Sequence, residues 1–387
     1  MIKKPQILVF IDWYLPGFKA GGPIRSVAAI IHALKDEADF SIVTEDRDFG
    51  DDVPFSTIKT NCWTTSPDGV SIFYCSPDLK TENGIKKILS EKKHDTIYFN
   101  SLFSGKFTIN PLRLISKMNI QSKIILAPRG MLGKGALNIK PLRKKIFLNY
   151  SRVFGLYKNI TWHASSEQEA DEIRKSFGEQ TSIVVAMNLS LLQSTERKTK
   201  IKNRGEVKFV FLSRISRKKN LLFALQLLKE IPSKDKVSYD IIGPIEDAAY
   251  WNVCLGAIAQ LPEHVSVNIL EAIPPDQIQK TLSEHHFFLF PTEHENFGHV
   301  ILEALNAACP VIISDQTPWR NLEKEKCGWD VTLSDKNEWR KVIETAIRMD
   351  QKEYDVWSEN AMKKAKVFQQ DKTSPEPFRK LFLREGK

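Results

Sequence analysis

The stretch FFLFPTEHENFGHVILEALNAACPVIISD, residues 287–315, reads as strand, loop, helix and strand. The runs FFLFPT and PVIISD are short, aromatic or β-branched, and HVILEALNAA between them is an apolar helical pattern. A unit of this kind belongs to a parallel sheet covered by helices. Packing alone does not explain why Glu295 stands at the mouth of the helix and Glu303 inside it, among Val300, Ile301, Leu302, Ala304 and Leu305. A buried acid lacking a cation or ligand would cost several kcal/mol, roughly the penalty for an unpaired buried charge.

Outward from this stretch the same alternation recurs. KFVFLSR, NLLFALQLLKEI, SYDIIG, HVSVNIL and PPDQIQKTLSEH precede it, and QILVFI, PIRSVAAIIHALKD, FSIVTE, DTIYFN, KIILAPRG, NITWHAS, EQEADEIRKSFG and SIVVAM lie further upstream. The charged segment QSTERKTKIKNRGE, residues 193–206, interrupts the series and reads as a linker. Two sheets of one architecture predict an α/β protein with two Rossmann-like domains facing each other across a cleft. The expected boundaries are 1–192 for the first domain, 193–206 for the linker and 207–365 for the second domain. A helical segment, 366–387, is expected to return to the first domain. Ligands in such sheets sit beyond the carboxyl ends of the strands, so the loops there are where chemistry is sought.

Composition narrows the classes. With 387 residues, 42% of them hydrophobic, the chain can build two ordinary cores. Asp12 interrupts the apolar start and no small-residue cleavage site follows, which argues against a secretory signal. The five cysteines lack CxxC or Cys/His ligand spacing, which argues against a disulfide framework or structural zinc and fits a reducing cytoplasm. The net charge of +9 is concentrated, because no Asp or Glu occurs from Thr96 to Ser166. Within that window KPLRKKIFLNYSRVFGLYKN interleaves bases with aromatic and aliphatic residues, a composition suited to an anionic membrane surface. The alternative is a solvated helix face over core aromatics. No nucleic-acid-binding motif accompanies the charge, so no nucleic-acid partner is expected.

Three loops carry the candidate chemistry. In YLPGFKAGGPIRSV, Gly21 and Gly22 allow close backbone approach and Pro23 suits a first helical turn whose N–H groups can face an anion, although a plain tight turn explains the glycines as well. In FLSRISRKKN, Arg214 and Lys219 stand five residues apart where a strand turns into a helix, and two such cations can chelate a diphosphate. The alternative is a solvated basic turn, since Arg217 and Lys218 cannot also face the ligand. In the opening stretch, Phe297, Gly298 and His299 bring backbone N–H groups to a helix start, ready for a phosphate or a sugar hydroxyl. Glu303 lies roughly 7 to 8 Å deeper along the helix axis. A ligand with a ribose, a diphosphate and a sugar would engage all of these elements.

ENFGHVILEAL, with Glu295 and Glu303 separated by seven residues, resembles the double-glutamate motif of the family 4 retaining glycosyltransferases of the GT-B fold. FLSRISRKKN is similar to the same family's strand, Arg-x-x-x-x-Lys and helix, and HASSEQEADEIRKSFG with SIVVAMNLS to the end of its N-terminal domain. GGPIRSV and APRGML resemble its N-terminal substrate loops, so the likeness runs along nearly the whole chain. The departures are Met187, Asn188 and Leu189 for a common Pro-Asn-Gly, Asn220 for a common Gly, TPWRNLE from Thr317 for a glycine-rich donor loop, and LAPRGML for a His-Asp loop.

The resemblance implies a metal-independent, cofactor-free transfer of a sugar from a nucleotide diphosphate sugar to a glycan or lipid-linked hydroxyl, with retention. Arg214 and Lys219 would stabilise the leaving diphosphate, Glu295 would hold the sugar and Glu303 the ribose, with Phe297, Gly298, His299 and Gly243 lining the donor site. Gly21, Gly22 and Arg129 would serve the acceptor or its phosphate, and His163, inside a strand, is read as structural. The expected setting is bacterial surface polysaccharide synthesis, in the cytoplasm and peripheral on the inner face of the cell membrane. A nucleotide-sugar epimerase or a glycoside hydrolase is the competing enzyme reading, the latter needing two carboxylates but no diphosphate clamp. A basic membrane- or nucleic-acid-binding module is the non-enzymatic one.

Overall fold

The computed structural model describes residues 3–137, 141–192, 197–232, 235–372 and 374–383; Lys140 and the linker positions 193–196 lie outside the described residues. The chain divides into two compact units, Met1–Leu189 with Thr373–Lys387, and Ser190–Lys372.

The first unit is built on β1 (Gln6–Phe10), β2 (Asp39–Glu45), β3 (Trp63–Thr65), β4 (Ser71–Cys75), β5 (Thr96–Phe99), β6 (Lys123–Leu126), β7 (Thr161–Ala164) and β8 (Ile183–Val185). They form one sheet in the order β3-β4-β2-β1-β5-β6-β7-β8. Only the short edge strand β3 runs antiparallel. The continuous apolar run of β1 follows from its central place: Ile7, Val9 and Ile11 feed one core while Leu8 and Phe10 feed the other, the two-residue period of a strand buried on both faces. The helix Gly22–Leu34 closes the first face with Ile24, Val27, Ile30 and Leu34, and the helix Glu82–Glu91 closes the second with Ile85 and Ile88.

The second unit has β9 (Glu206–Leu212), β10 (Lys236–Ile242), β11 (Val265–Leu270), β12 (Phe287–Phe290), β13 (Val311–Ser314) and β14 (Gly328–Val331). All its pairs are parallel, in the order β11-β10-β9-β12-β13-β14. Strand order therefore reverses between β9 and β12, as it does between β1 and β5 in the first unit, and such reversal points are where α/β sheets open a crevice for ligands. All four residues of β12 are fully buried, as befits a central parallel strand. The expected strands and helices of both halves are present; β3, β4 and β14 had no counterpart in the sequence reading.

The segment read as a linker is no solvated tether from Arg197 onward. Lys200 donates to the carbonyls of His285, Ala307 and Ala308, the last two at the end of the helix His299–Asn306. Lys202, only 2% exposed, donates to the carbonyls of Ile347 and Met349 at the end of the helix Lys336–Arg348. Both ammonium groups thus satisfy helix-end carbonyls that have no intrahelical donor. Gln351 completes the seam by accepting from Lys202 N and donating to Lys200 O.

The 22-residue helix Gln351–Lys372 stays with the second unit, and the following helix Glu376–Phe382 packs in the first. There Phe382 meets Phe40 and Tyr98 edge-on, and Arg379 grips Glu37 through a forked pair. Among the described residues no helix is long and apolar enough to cross a membrane.

Candidate functional site

The carboxyl ends of β9 and β12 carry two adjacent loops. After β9, Ser213–Ser216 lead into a single 3-10 turn, Arg217–Lys219, and then the helix Leu221–Leu228. Asn220 joins the two in the left-handed region (φ 57°), a conformation Asn tolerates better than most residues, which explains an Asn at a position where the resembled family has Gly. After β12, Pro291–Gly298 lead to the helix His299–Asn306, and Gly298 (φ 75°) leaves a space that a Cβ would close against Ile301 Cδ1 at 2.7 Å. The loops are stitched together through one carbonyl: Lys218 O accepts from Glu293 N at 2.8 Å and from Thr292 Oγ1 at 3.1 Å.

Across this seam the Lys219 ammonium pairs directly with the Glu295 carboxylate, and both side chains are largely out of water, 11% and 16% exposed. Burial pushes the Glu295 carboxyl up, but Lys219 and then Lys218 outweigh it and hold it below its ordinary value. Arg214 pairs with Glu246 from the loop after β10, Nη1 to Oε1 at 3.0 Å, with about a third of each side chain exposed. Lys218 lies within the field of Lys219, Glu295, Arg214 and Glu246; burial first, and Lys219 next, push its ammonium down to about 8. Arg217 alone of the basic turn faces away, bonded to Asp247 and set over the Tyr250 ring.

Gly243, with φ 143°, lies where a Cβ would collide with the Ser213 carbonyl oxygen, so its first role is to let the β10 loop lie against the β9 loop. Phe297 is a core residue: its ring meets His299, Trp319 and Phe368, and its carbonyl accepts from Trp319 Nε1 at 2.7 Å. The segment from Thr317 that departs from the family pattern thus supports the glutamate loop from beneath, and Gln316 O accepts from Glu295 N at 2.9 Å. Glu303 is 6% exposed, on the same helix as fully buried Ile301, Leu302, Ala304 and Leu305. Arg214, Lys219, Glu295 and Gly243 therefore gather in one place, with Phe297, Gly298 and His299 at the end of the same loop and Glu303 behind them. Sequence reasoning missed Glu246, which carried no signal as the partner of Arg214.

In the first unit, Gly21 (φ 75°) precedes and Gly22 opens the helix after β1. The loop before them is pinned by Asp48, which accepts from Phe18 N and Lys19 N. Asp12, at the end of β1, accepts from Ser104 Oγ at 2.6 Å across the reversal point to the loop after β5. Burial raises the Asp12 carboxyl, an effect only partly offset by that bond. Arg129, itself at φ 53°, donates to Asn100 Oδ1, Asn188 Oδ1 and the Tyr98 hydroxyl. Tyr98 lies 2.7 Å from His163 Nδ1, while His163 Nε2 is 2.9 Å from Ala186 O. A carbonyl can only accept, so Nε2 carries the proton and the Tyr98 hydroxyl donates to Nδ1. His163 is fully buried and burial holds it neutral, pushed down to about 3, in keeping with its structural reading. Arg129, read as an acceptor or phosphate ligand, has three of its nitrogens engaged inside the unit. Among the described residues no group of three or more His, Cys, Asp or Glu is placed to hold a metal ion.

Two Rossmann-like units whose ligand crevice lies at the reversal point of the sheet define the GT-B class of fold. Solved structures with that architecture match the whole chain. Sucrose-phosphate synthase from Thermosynechococcus elongatus aligns with TM-score 0.71 and 14% identity over 98% of this chain and 99% of that one. HepE of Anabaena in complex with UDP-glucose aligns with TM-score 0.68 and 15% identity over 97% and 98%. WaaG, described as a glycosyltransferase involved in lipopolysaccharide biosynthesis, aligns with TM-score 0.68 and 13% identity over 98% and 100%. At these identities the likeness establishes the fold. Residues 193–364, nearly all of the second unit, match the family model described as glycosyl transferases group 1. No curated protein matches the chain.

Proposed function

We propose that the chain is a retaining, metal-independent glycosyltransferase that moves a sugar from a nucleotide diphosphate sugar to a hydroxyl of a glycan or lipid-linked acceptor. The observation that carries this reading is the cluster at the β9/β12 reversal point, where Lys219 pairs with Glu295 and Arg214 with Glu246, with Lys218 within the field of all four. A diphosphate entering there would exchange Glu246 and Glu295 for its own oxygens as partners of the cations. Negative charge that grows on the leaving diphosphate would then meet positive charge already in place, which is usually the largest catalytic contribution. Released from Lys219, Glu295 would hold the transferred sugar, while Glu303 deeper in the helix would accept from the ribose hydroxyls. HepE was solved with UDP and with UDP-glucose, which supports the donor class.

The finer setting we propose is bacterial surface polysaccharide synthesis, cytoplasmic and peripheral on the inner face of the cell membrane, with an anionic membrane surface as partner. The acid-free basic window and the likeness to WaaG support it.

Titration calorimetry against UDP, GDP, ADP and their sugars tests the donor reading, followed by turnover with and without a chelator and by product anomer analysis. Arg214→Ala and Lys219→Ala should each weaken the nucleoside diphosphate by roughly 1.5 to 3 kcal/mol, the range for hydrogen bonds to charged groups. Glu303→Gln should lose mainly nucleoside affinity and Glu295→Gln mainly turnover. Unchanged binding in both cation variants, or loss of activity with the chelator, would overturn the corresponding part of the reading.

A further inference from the structure

The helix Pro141–Val153 carries a second set of apolar residues, on the side opposite its core contact. Leu148 and Ser151 are its buried residues, and Lys144 bends inward, its Nζ bonded to the Ala136 carbonyl and set 5.3 Å from the Phe103 ring centre. On the outward side Leu142 is 70%, Ile146 61% and Val153 80% exposed, with Phe154 (69%) and Tyr150 (39%) beside them. Positions 142, 146, 150 and 153 follow helical spacing, so they make one stripe, about 16 Å long from Leu142 to Val153. Among the described residues sixteen large apolar side chains are exposed, and five of them fall within residues 142–154. Singly scattered apolar residues need no explanation, but a contiguous stripe marks an interaction surface.

The charges around the stripe decide its occupant. Arg143, Lys145 and Arg152 are exposed on its flanks. Arg113 from the helix Asn110–Lys117 reaches over Tyr150, its guanidinium 5.7 Å from the ring centre and Nη2 3.2 Å from the hydroxyl. No acid occurs between Thr96 and Ser166. A second copy of the chain would bring the same bases against themselves in a two-fold contact, whereas lipid phosphates complement them. We infer that the helix Pro141–Val153 lies in the surface of an anionic bilayer, with Leu142, Ile146, Val153 and Phe154 in the acyl boundary and Arg143 and Lys145 on the phosphates, while the Arg152 guanidinium stays on the Ser176 carbonyl. This rests on the membrane reading proposed above and changes its physics, from contact by charge to insertion of an apolar face. Lys144 takes no part, because its side chain points into the unit.

The test is co-sedimentation of the full chain with phosphatidylcholine vesicles, with and without phosphatidylglycerol, at low and high salt. Wild-type protein should bind the anionic vesicles, and salt should weaken this binding without abolishing it. The variant Leu142→Ser/Ile146→Ser/Val153→Ser should lose at least about tenfold in lipid affinity while keeping its melting temperature, since all three side chains are already in water. Arg143→Ser/Lys145→Ser should lose about fivefold per residue, and Lys144→Ser should lose nothing on this scale. If the apolar variant binds like wild type and salt releases both, charge alone docks the protein and the insertion is wrong while the membrane reading stands. Wild type that ignores anionic vesicles overturns both. Light scattering that shows a wild-type dimer dissolved by the apolar variant would make the stripe a self-interface and overturn the inference.

Discussion

The Lys219 ammonium and the Glu295 carboxylate neutralise each other where the loops after β9 and β12 meet, in a place only one-tenth to one-sixth exposed. An ion pair this dry is costly to break from one side, because the remaining charge loses its partner without regaining water. Lys219→Ala should therefore destabilise the protein by roughly 3 kcal/mol, within the range measured for broken buried pairs. Glu295 also carries a pH signature. Its folded value lies below its ordinary 4.5, so the pair contributes stability above pH 4.5 that disappears as pH falls through the folded value. Urea midpoints from pH 7 down to pH 3 should show wild type converging on Lys219→Ala at the acid end. Parallel curves would mean the pair contributes nothing.

Glu246 occupies Arg214 at a more exposed position, where an ion pair is worth about 0 to 1 kcal/mol. Glu246→Gln should accordingly leave the melting temperature nearly unchanged and tighten the free nucleoside diphosphate by about two- to fivefold, since the incoming phosphate no longer displaces a carboxylate. Calorimetry on the folded variant decides it. Weaker binding would show that Glu246 orients Arg214 for the ligand instead of competing with it.

His94 is 9% exposed, and among the described residues neither ring nitrogen has a hydrogen-bond partner. Burial first, and Lys92 next, push it down to about 4, from an ordinary 6.5. The unfolded chain thus binds the proton more readily, and stability falls as pH drops from about 6.5 towards 4. His94→Leu should cost nothing beyond about 1 kcal/mol at pH 7, because an unpaired polar ring is replaced by an apolar group. It should lose roughly 1 to 2 kcal/mol less than wild type between pH 7 and pH 5. Denaturation midpoints at the two pH values check this, and equal losses would refute it.

Lys200 and Lys202 close the ends of two helices from one extended segment, five carbonyls between residues 285 and 349 accepting from them. Lys200→Met and Lys202→Met should each destabilise the second unit by roughly 2 to 4 kcal/mol, more than an average surface substitution, since buried carbonyls lose charged donors. Hydrogen exchange should report the loss in the last turns of the helices His299–Asn306 and Lys336–Arg348 before it appears elsewhere. Exchange unchanged in those turns would show that the lysines are only packed there.

The α/β class was legible in FFLFPT, HVILEALNAA and PVIISD because a parallel sheet buried on both faces demands unbroken apolar runs, and its covering helices demand apolar faces. Arg214, Lys219 and Glu295 were legible as candidate site residues because they stand in loops that follow strands. The strands of weak pattern, β3 and β14, were not, since they are short edge strands placed by their neighbours. Nor was the fate of QSTERKTKIKNRGE. Its charges look solvated in one dimension, yet Lys200 and Lys202 are buried by helix ends 108 and 145 positions away in the chain.

By itself the sequence determined the periodicities, the two halves and the chemical types in each loop, which are local properties of the chain. Tertiary structure alone decided the pairings: Lys219 with Glu295, Arg214 with Glu246 and Arg217 with Asp247. The reason is that an ionic partner is set by distance and burial in three dimensions, and the adjacency of β9 and β12 brings together loops some 80 residues apart. The direction of Leu142, Ile146 and Val153 belongs to the same class of fact. A helical stripe is visible in the sequence, but only the packing of Leu148 and Ser151 fixes which side of it faces water.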